Sequence, residues 1–226
     1  STEDSWKTNR KLITQGHVVS YDRARFKANG ELWGLAVHPF APTFMTAGDD
    51  KTVRVWDMQE RVMVSSRNLP SRARCCAYSP DGKQSVVGLH RGGFLVYDTA
   101  TGNLLASKKH RREEISQIKY SPDGRWLAVG SHDNFVDMYD VLRNFKRIGV
   151  CKGHSSYITH LDWSDDSNLL QTNSGDYELL YWEVPSCEQV KFSSALKDVH
   201  WATWTCTLGW PVQGIWPKHA DGTDLS

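Results

Sequence analysis

The stretches Tyr78-Ser79-Pro80-Asp81-Gly82 and Tyr120-Ser121-Pro122-Asp123-Gly124 have the same sequence. Looser versions flank them, Val37-His38-Pro39-Phe40 and Trp163-Ser164-Asp165-Asp166. The anchor positions 39, 80, 122 and 165 are 41, 42 and 43 residues apart. Seventeen residues after each anchor comes an aromatic residue followed by an acid: Trp56-Asp57, Tyr97-Asp98, Tyr139-Asp140 and Trp182-Glu183. Four repeats with one internal offset indicate a repeat architecture.

The repeat length predicts four-stranded β-propeller blades and an all-β fold. In the first repeat, β-rich runs alternate with turn residues, and the expected strands a to d are Leu32–Val37, Thr43–Ala47, Thr52–Trp56 and Arg61–Ser66. Pro-Asp-Gly at 80–82 and 122–124 suits a tight turn between strands a and b, because proline presets φ and glycine tolerates positive φ. A helical hydrophobic stripe of useful length is absent from the sequence.

The repeats resemble those of the WD40 family, in which a His before strand a, an Asp in the b–c turn and the strand-c Trp are joined by hydrogen bonds. The resemblance implies a structural network at Asp50 and Trp56 in blade one, His110, Asp133 and Tyr139 in blade three, and His154, Asp176 and Trp182 in blade four. Blade one's His is expected at His17. Blade two departs from the pattern, because Arg91 occupies the Asp position and no His matches. A catalytic dyad is the alternative interpretation, but the pair recurs between blades where a catalytic site would occur once.

Two further stretches resemble the echinoderm microtubule-associated protein-like family. They are NGELWGLAVHPF at 29–40 and ATWTCTLGWPVQGIWP at 202–217, the latter followed by Asp-Gly-Thr-Asp at 221–224. The second stretch does not follow a Trp-Asp repeat and is the more specific of the two. The resemblance implies a tandem, atypical propeller domain that engages tubulin or microtubules, in the cytoplasm and at the cytoskeleton.

Four complete four-stranded blades and an incomplete fifth account for the 226 residues. The expected division is 1–30 for the outer strand of a preceding blade and an insertion, 31–69 for blade one, 70–110 for blade two, 111–154 for blade three, 155–198 for blade four, and 199–226 for an incomplete, atypical blade with its strand a near 199–206. A closed seven-bladed ring would need roughly 300 residues. We therefore expect a fragment of a longer protein, forming an open arc with an uncovered face at each end.

Composition and motifs exclude several classes of protein. The 27 Lys and Arg against 26 Asp and Glu give a net charge of +1, which excludes a uniformly basic nucleic-acid coat. No apolar run approaches the length of a membrane span, so no membrane partner is expected. The five cysteines form no CxxC motif, and His-Glu-x-x-His, Gly-x-Ser-x-Gly and Walker motifs are absent. Neither an enzyme nor a cofactor or metal site is predicted.

Basic residues concentrate between positions 65 and 112, where the sequence has nine Lys and Arg and only two acidic residues, Asp81 and Asp98. Those that map to d–a and b–c loops, which share one face of such a blade, are Arg67, Arg72, Arg74, Arg91, Lys108, Lys109, Arg111 and Arg112. For any single residue, an ordinary solvated rim is the alternative. The cluster predicts a binding face for an acidic protein such as tubulin, and the lack of interleaved aromatic residues disfavours nucleic acid.

These observations favour a non-catalytic propeller segment of a microtubule-associated protein, one that binds tubulin or microtubules and modifies microtubule dynamics. One alternative is a general WD40 adaptor, such as a ubiquitin-ligase substrate receptor or a complex scaffold, which binds other proteins through its propeller faces. The stretches at 29–40 and 202–217 disfavour it. A hydrolase built on a propeller is the other alternative, and it lacks a motif here.

Overall fold

The computed structural model describes residues 31–191 and 196–208 of the chain. The fifteen elements of regular structure named within these ranges are all β-strands, and they form four antiparallel sheets in chain order. The all-β, WD40-type fold class is therefore confirmed. The interpretations of 1–30, including His17, and of 209–226 lie outside the described residues. The division of the chain into blades at the residues given above stays a prediction.

The first three sheets each contain four strands. Blade one contains Leu32–Val37 (β1), Thr43–Gly48 (β2), Thr52–Asp57 (β3) and Val62–Asn68 (β4). Blade two contains Ala73–Tyr78 (β5), Gln84–Leu89 (β6), Gly93–Asp98 (β7) and Leu104–Lys109 (β8). Blade three contains Ile115–Tyr120 (β9), Trp126–Ser131 (β10), Phe135–Asp140 (β11) and Lys146–Lys152 (β12). The strands of blade one lie within two residues of the bounds that the sequence predicts.

The fourth sheet differs from the other three. It contains Ile158–Trp163 (β13), Leu169–Ser174 (β14) and Leu179–Glu183 (β15), and no fourth strand appears among the residues described. An isolated bridge between Trp182 and Gln189 stands in its place. Pro185 lies in the connection and has no N–H to donate to a ladder, so pairing resumes only briefly before residue 191. Of the four blades expected to be complete, three have four strands, and blade four has three among the described residues.

Apolar clusters between neighbouring sheets hold the blades together. The first strands of successive blades lie side by side, β1 against β5, β5 against β9 and β9 against β13. Between blades three and four, for example, Trp126 and Met138 pack with Ile158 and Trp182 in one buried cluster. Similar clusters join blade one to two and blade two to three. Each fully buried large side chain contributes about 1.5–3 kcal/mol, so contacts between blades stabilise the arc.

The a–b turns have the backbone that the sequence predicts. Gly82 and Gly124 have φ of 71° and 73°, and each turn closes with an amide-to-carbonyl bond to the preceding serine. Side chains reinforce the turn, since the Ser79 hydroxyl donates to Asp81 at 2.6 Å. In blade four Ser167 takes the glycine position with φ of 63°, a conformation that costs a non-glycine residue energy.

The two ends of the arc differ in how their outer faces are covered. The outer face of blade four packs against the chain that follows it, where Leu196 and Trp201 join Tyr181 in a buried cluster. Blade one leaves Phe44 and Trp56, which stack on each other on the face away from blade two, only half-buried. The expectation of two uncovered faces is therefore wrong for blade four, because the chain folds back over it.

The covering segment is not the strand that the sequence predicts near 199–206. Only Trp201 makes a β-bridge in this stretch, to Ser164 at the end of β13. Beyond it, the amides of Thr205 and Cys206 donate to the carboxylate of Asp162 at 2.8 and 2.7 Å. Since a side chain takes the amides that a ladder would use, no regular strand forms here.

Candidate functional site

Blade four contains a continuous chain of hydrogen bonds that begins at Trp182 on β15. Its indole Nε1 donates to Thr172 Oγ1 at 2.8 Å, and His154 Nε2 lies 2.8 Å from the same oxygen. On the other side of the ring, His154 Nδ1 lies 3.0 Å from Asp176 Oδ2. The first three residues are buried, so their polar atoms depend on one another for partners. The structure thus brings His154, Asp176 and Trp182 together around a threonine.

Asp176 is the outer end of this network. Its carboxylate also accepts from the amides of Ser155 at 2.8 Å and Glu178 at 3.0 Å. Burial raises the pKa of Asp176, but these amides and His154 outweigh that effect and hold the pKa below its ordinary value. Ligand atoms of His154, Asp176 and Glu178 lie within 4.8 Å of one another, as a metal ion would require. Because both His154 nitrogens and both Asp176 oxygens already have partners, we assign this group to the network.

Blade one repeats the inner part of this arrangement. Trp56 Nε1 donates to Thr46 Oγ1 at 2.8 Å, as Trp182 does to Thr172. Asp50 accepts from the Thr52 amide at 3.0 Å and forms an ion pair with Arg54 at 3.3 Å. The predicted histidine of this blade, His17, lies outside the described residues.

Blade three differs because its histidine lies one residue earlier in the repeat, and Arg111 occupies the position that His154 has in blade four. His110 Nδ1 lies 2.9 Å from the Tyr139 hydroxyl, but Asp133 pairs with Arg111 at 3.2 Å and not with His110. Arg111 is held there by Asp137, a fully buried carboxylate that accepts from its Nε at 2.7 Å and its Nη2 at 2.5 Å. A buried carboxylate needs a cationic partner, and the rigid arginine fork reaches both acids. The predicted contact between His110 and Asp133 is therefore wrong.

Sequence analysis missed the residues that distinguish these blades. In blades one and four a threonine, Thr46 or Thr172, lies ten residues before a tryptophan. In blades two and three the same position is Val87 or Val129, and the strand-c aromatic is a tyrosine. Because threonine occurs with tryptophan and valine with tyrosine, the repeats themselves indicate two kinds of hydrogen-bond network. Asp137 was also detectable, as a charge inside a strand.

Two residues of the predicted basic face are held inside the protein. Arg74 pairs with Asp49 at 3.3 Å and Glu114 at 3.0 Å, and its guanidinium lies 4.5 Å from the centre of the Trp33 ring. Its side chain is only 13% exposed, and that of Arg111 is 12% exposed. The prediction that both are available to a partner is wrong, because nearby carboxylates draw them inward.

Arg67 is also turned away from the predicted face. Its guanidinium lies 4.8 Å from the centre of the Tyr97 ring and donates to the carbonyl of Gly102. Gly102 belongs to the c–d turn of blade two, at the opposite end of the sheet from the d–a loop. Arg67 therefore joins blade one to blade two.

The other five members of the predicted face remain accessible. Arg72, Arg91, Lys109 and Arg112 are exposed and Lys108 is half-buried. Arg91 lies between two clefts, one that it shares with Arg72 and Arg112 and one that it shares with Lys108 and Lys109. The structure therefore brings these five close together. Arg72, Arg91 and Arg112 lie in d–a and b–c loops, but the prediction that Lys108 and Lys109 lie in a loop is wrong, because they end strand β8.

Asp162 is a second buried carboxylate that sequence analysis missed. It lies on β13 and accepts from Lys119 Nζ at 2.9 Å, from the Thr203 hydroxyl and from the Cys206 amide at 2.7 Å. Burial opposes its ionisation, but Lys119 and these hydrogen bonds outweigh that effect and lower the pKa of Asp162 to about 2. One carboxylate thus connects blades three and four to the segment that covers blade four.

Residues 32–226 match the family model described as "Echinoderm microtubule-associated protein second beta-propeller". The chain belongs to the echinoderm microtubule-associated protein-like family. It is 46% identical over 222 residues to echinoderm microtubule-associated protein-like 2 of Mus musculus, a match that covers 97% of this chain and 32% of that protein. It is 45% identical over 226 residues to echinoderm microtubule-associated protein-like 4 of Xenopus tropicalis, covering 97% of this chain and 24% of that protein.

An echinoderm relative matches over the same extent. The 77 kDa echinoderm microtubule-associated protein of Strongylocentrotus purpuratus is 40% identical over 223 residues, which cover 97% of this chain and 32% of that protein. The chain therefore spans between about a quarter and a third of the length of these family members. Within the part of the chain that the structure describes, no helix is long and apolar enough to cross a membrane.

Proposed function

We propose that this chain is a non-catalytic propeller segment through which a microtubule-associated protein binds tubulin or microtubules, in the cytoplasm and at the cytoskeleton. The observation that carries the proposal is membership of the echinoderm microtubule-associated protein-like family over residues 32–226. The arrangement of the site supports it. The His and Asp side chains of blades three and four bond to structural partners, and several exposed cations line one cleft, which suits binding.

The proposed contact surface consists of the exposed basic residues in the d–a and b–c loops of blades one to three and at the end of β8. Arg72, Lys109 and Arg112 are exposed there, and Arg74 and Arg111 are excluded because they pair internally. Tubulin has an acidic surface, so charge complementarity favours its approach and raises the association rate.

Microtubule co-pelleting of the full-length protein that carries this sequence tests the proposal. We expect binding that weakens as salt is added, because exposed charges are screened over about 8 Å at physiological ionic strength. The variant Arg72→Glu, Lys109→Glu, Arg112→Glu should weaken binding about tenfold and flatten its salt dependence. The matched control is Lys83→Glu, Arg143→Glu, Lys146→Glu, which reverses three exposed charges at the a–b and c–d turns.

Different results would remove different parts of the proposal. If the unmodified full-length protein binds neither polymer nor soluble tubulin dimer, the function is wrong. If it binds but the variant and the control bind equally well, the surface is wrong. Turbidity traces of tubulin polymerisation with and without the protein test the proposed effect on dynamics. The fold should persist in both variants, since surface substitutions change stability by about 0.5 kcal/mol or less each.

Binding of other proteins through the propeller faces is a second candidate function, and one observation favours it. Leu35, Val37 and Phe40, on β1 and the turn after it, are 66%, 59% and 78% exposed. Contiguous exposed apolar residues mark contact surfaces more often than isolated ones do. Substitution of Leu35 and Phe40 by Ser should release such partners from the full-length protein and leave its microtubule co-pelleting unchanged.

A further inference from the structure

Exposed cations of three different blades line one cleft of about 570 Å³, which we call the cationic cleft. Its charged and titratable lining residues are Lys51, Arg72, His90, Arg91, Arg112, Glu113, Glu114 and His132. Pro70 and Ser71 complete the wall. Four lysine and arginine side chains therefore face two carboxylates.

One of the two carboxylates is already neutralised from inside the protein. Glu114 lies 3.0 Å from Arg74 Nε and 2.6 Å from His90 Nδ1, and its side chain is 16% exposed. Among the residues that the structure describes, none of Lys51, Arg72, Arg91 and Arg112 has an ion pair with an acid. The accessible charge of the cleft is therefore strongly positive and unpaired.

The cations follow the arc from blade to blade. Lys51 lies in the b–c turn of blade one, Arg72 between blades one and two, Arg91 in the b–c turn of blade two, and Arg112 between blades two and three. Such a series matches a ligand with several negative charges spread along an extended chain. An extended peptide advances about 3.3 Å per residue and points alternate side chains to the same side, so acidic side chains two residues apart can face the cleft together. Arginine suits this role because its planar fork binds a carboxylate through two hydrogen bonds.

We propose that the cationic cleft binds an extended acidic segment of a partner protein. The inference rests on the proposed function, because it names the surface and the kind of segment through which that partner is held. A nucleic acid is the less suitable ligand, since none of the lining residues is Phe, Tyr or Trp, and the two rings present, His90 and His132, both lie beside the carboxylate of Glu114.

The test uses the full-length protein and a fluorescein-labelled peptide of ten glutamates, with binding followed by fluorescence anisotropy. The cleft variant is Arg72→Gln, Arg91→Gln, Arg112→Gln. The matched control is Lys83→Gln, Arg143→Gln, Lys146→Gln, which removes the same charge from the opposite face. We expect the cleft variant to bind the peptide about tenfold more weakly, with a shallower dependence on salt, and the control to bind as the unmodified protein does. Melting temperatures of all three proteins verify the fold.

Three results would overturn the inference. They are equal weakening by both variants, which indicates net charge alone; no change in the cleft variant; and tighter cleft-dependent binding of a ten-nucleotide single-stranded DNA than of the peptide. Because this assay contains no tubulin, its failure leaves the co-pelleting result standing. If the unmodified protein binds the peptide through the cleft but does not co-pellet with microtubules or bind tubulin dimer, the proposed function is refuted and the cleft proposal stands.

Discussion

Blades three and four have an Asp in the b–c turn at the same repeat position, eleven residues after the anchor, but His110 lies twelve residues before its anchor and His154 only eleven. In blade four, His154 bridges Asp176 and Thr172. In blade three, His110 contacts Tyr139, and its Asp133 is bound by Arg111. The comparison teaches that a shift of one residue changes the network, because Arg111 takes the position of His154 in blade three and binds the Asp in its place.

A second difference lies on the second strand of each blade. Thr172 gives blade four a hydroxyl that both Trp182 and His154 can reach, at 2.8 Å each. Blade three has Val129 at that position, which offers no polar atom. Tyr139 carries its own hydroxyl and extends it to His110 and toward Asp137. The buried polar group of the strand-c aromatic is thus satisfied in both blades, as burial requires.

Substitution of Asp137 should destabilise blade three and cause the largest decrease in the free energy of unfolding. Asp137→Ala leaves the Arg111 guanidinium, 12% exposed, without its main partner, and loss of one member of a buried pair costs about 3–5 kcal/mol. Urea unfolding should show a correspondingly lower free energy of unfolding. Asp133→Ala is the control, because Asp133 is 23% exposed and makes one contact with Arg111; it should cost about 1 kcal/mol or less. Equal losses would show that Asp137 is not the centre of this network.

Thr172→Val should convert the second strand of blade four to the blade-three residue. It leaves the Trp182 indole N–H and His154 Nε2 buried without their shared oxygen, at a cost of about 2–3 kcal/mol. Thr172→Ser retains the hydroxyl and should recover most of that loss. An unchanged free energy of unfolding in Thr172→Val would mean that water or another group satisfies both atoms.

Asp176→Ala should have a smaller effect, about 1–3 kcal/mol, because it leaves the His154 Nδ1 and the Ser155 amide without an acceptor near the blade rim, where water can partly replace it. The measurement is urea unfolding alongside Asp133→Ala. Because the two acids share a repeat position, a sequence-only argument predicts equal effects, and the structure predicts the larger effect for Asp176. The reverse order would contradict the assigned networks.

Acid pH should destabilise blade four by protonating Asp176, and this is the smallest of the expected changes in the free energy of unfolding. The pKa of Asp176 is lower in the folded protein, so its contribution to stability is complete above the unfolded pKa of about 3.9 and is lost as pH falls through the folded pKa. The free energy of unfolding should therefore decrease below about pH 4. Asp176→Asn should make that decrease less steep, as seen in urea midpoints at pH 5, 4 and 3. An unaltered slope would assign the acid sensitivity to other carboxylates, Asp162 first among them.

The sequence by itself determined the repeat and the local structure of each blade. The offset of seventeen residues from the anchor to the strand-c aromatic, together with β-rich runs separated by turn residues, located strands in blade one to within two residues. These features are local, since turn chemistry and alternation act between residues close in the chain. The grouping of His154, Asp176 and Trp182 came from the resemblance to WD40 repeats, and the structure brings the three residues together.

Only the tertiary structure decided which charged groups meet across loops and blades. Arg74 pairs with Glu114, forty residues away, and Asp162 binds Thr203, Thr205 and Cys206 over more than forty. Arg74 and Arg111 look like free surface cations in the sequence, and the predicted strand near 199–206 has the right composition. Both outcomes depend on buried carboxylates, whose desolvation makes them recruit whichever donors the folded chain brings near. That recruitment acts through space and leaves no periodic mark on the sequence.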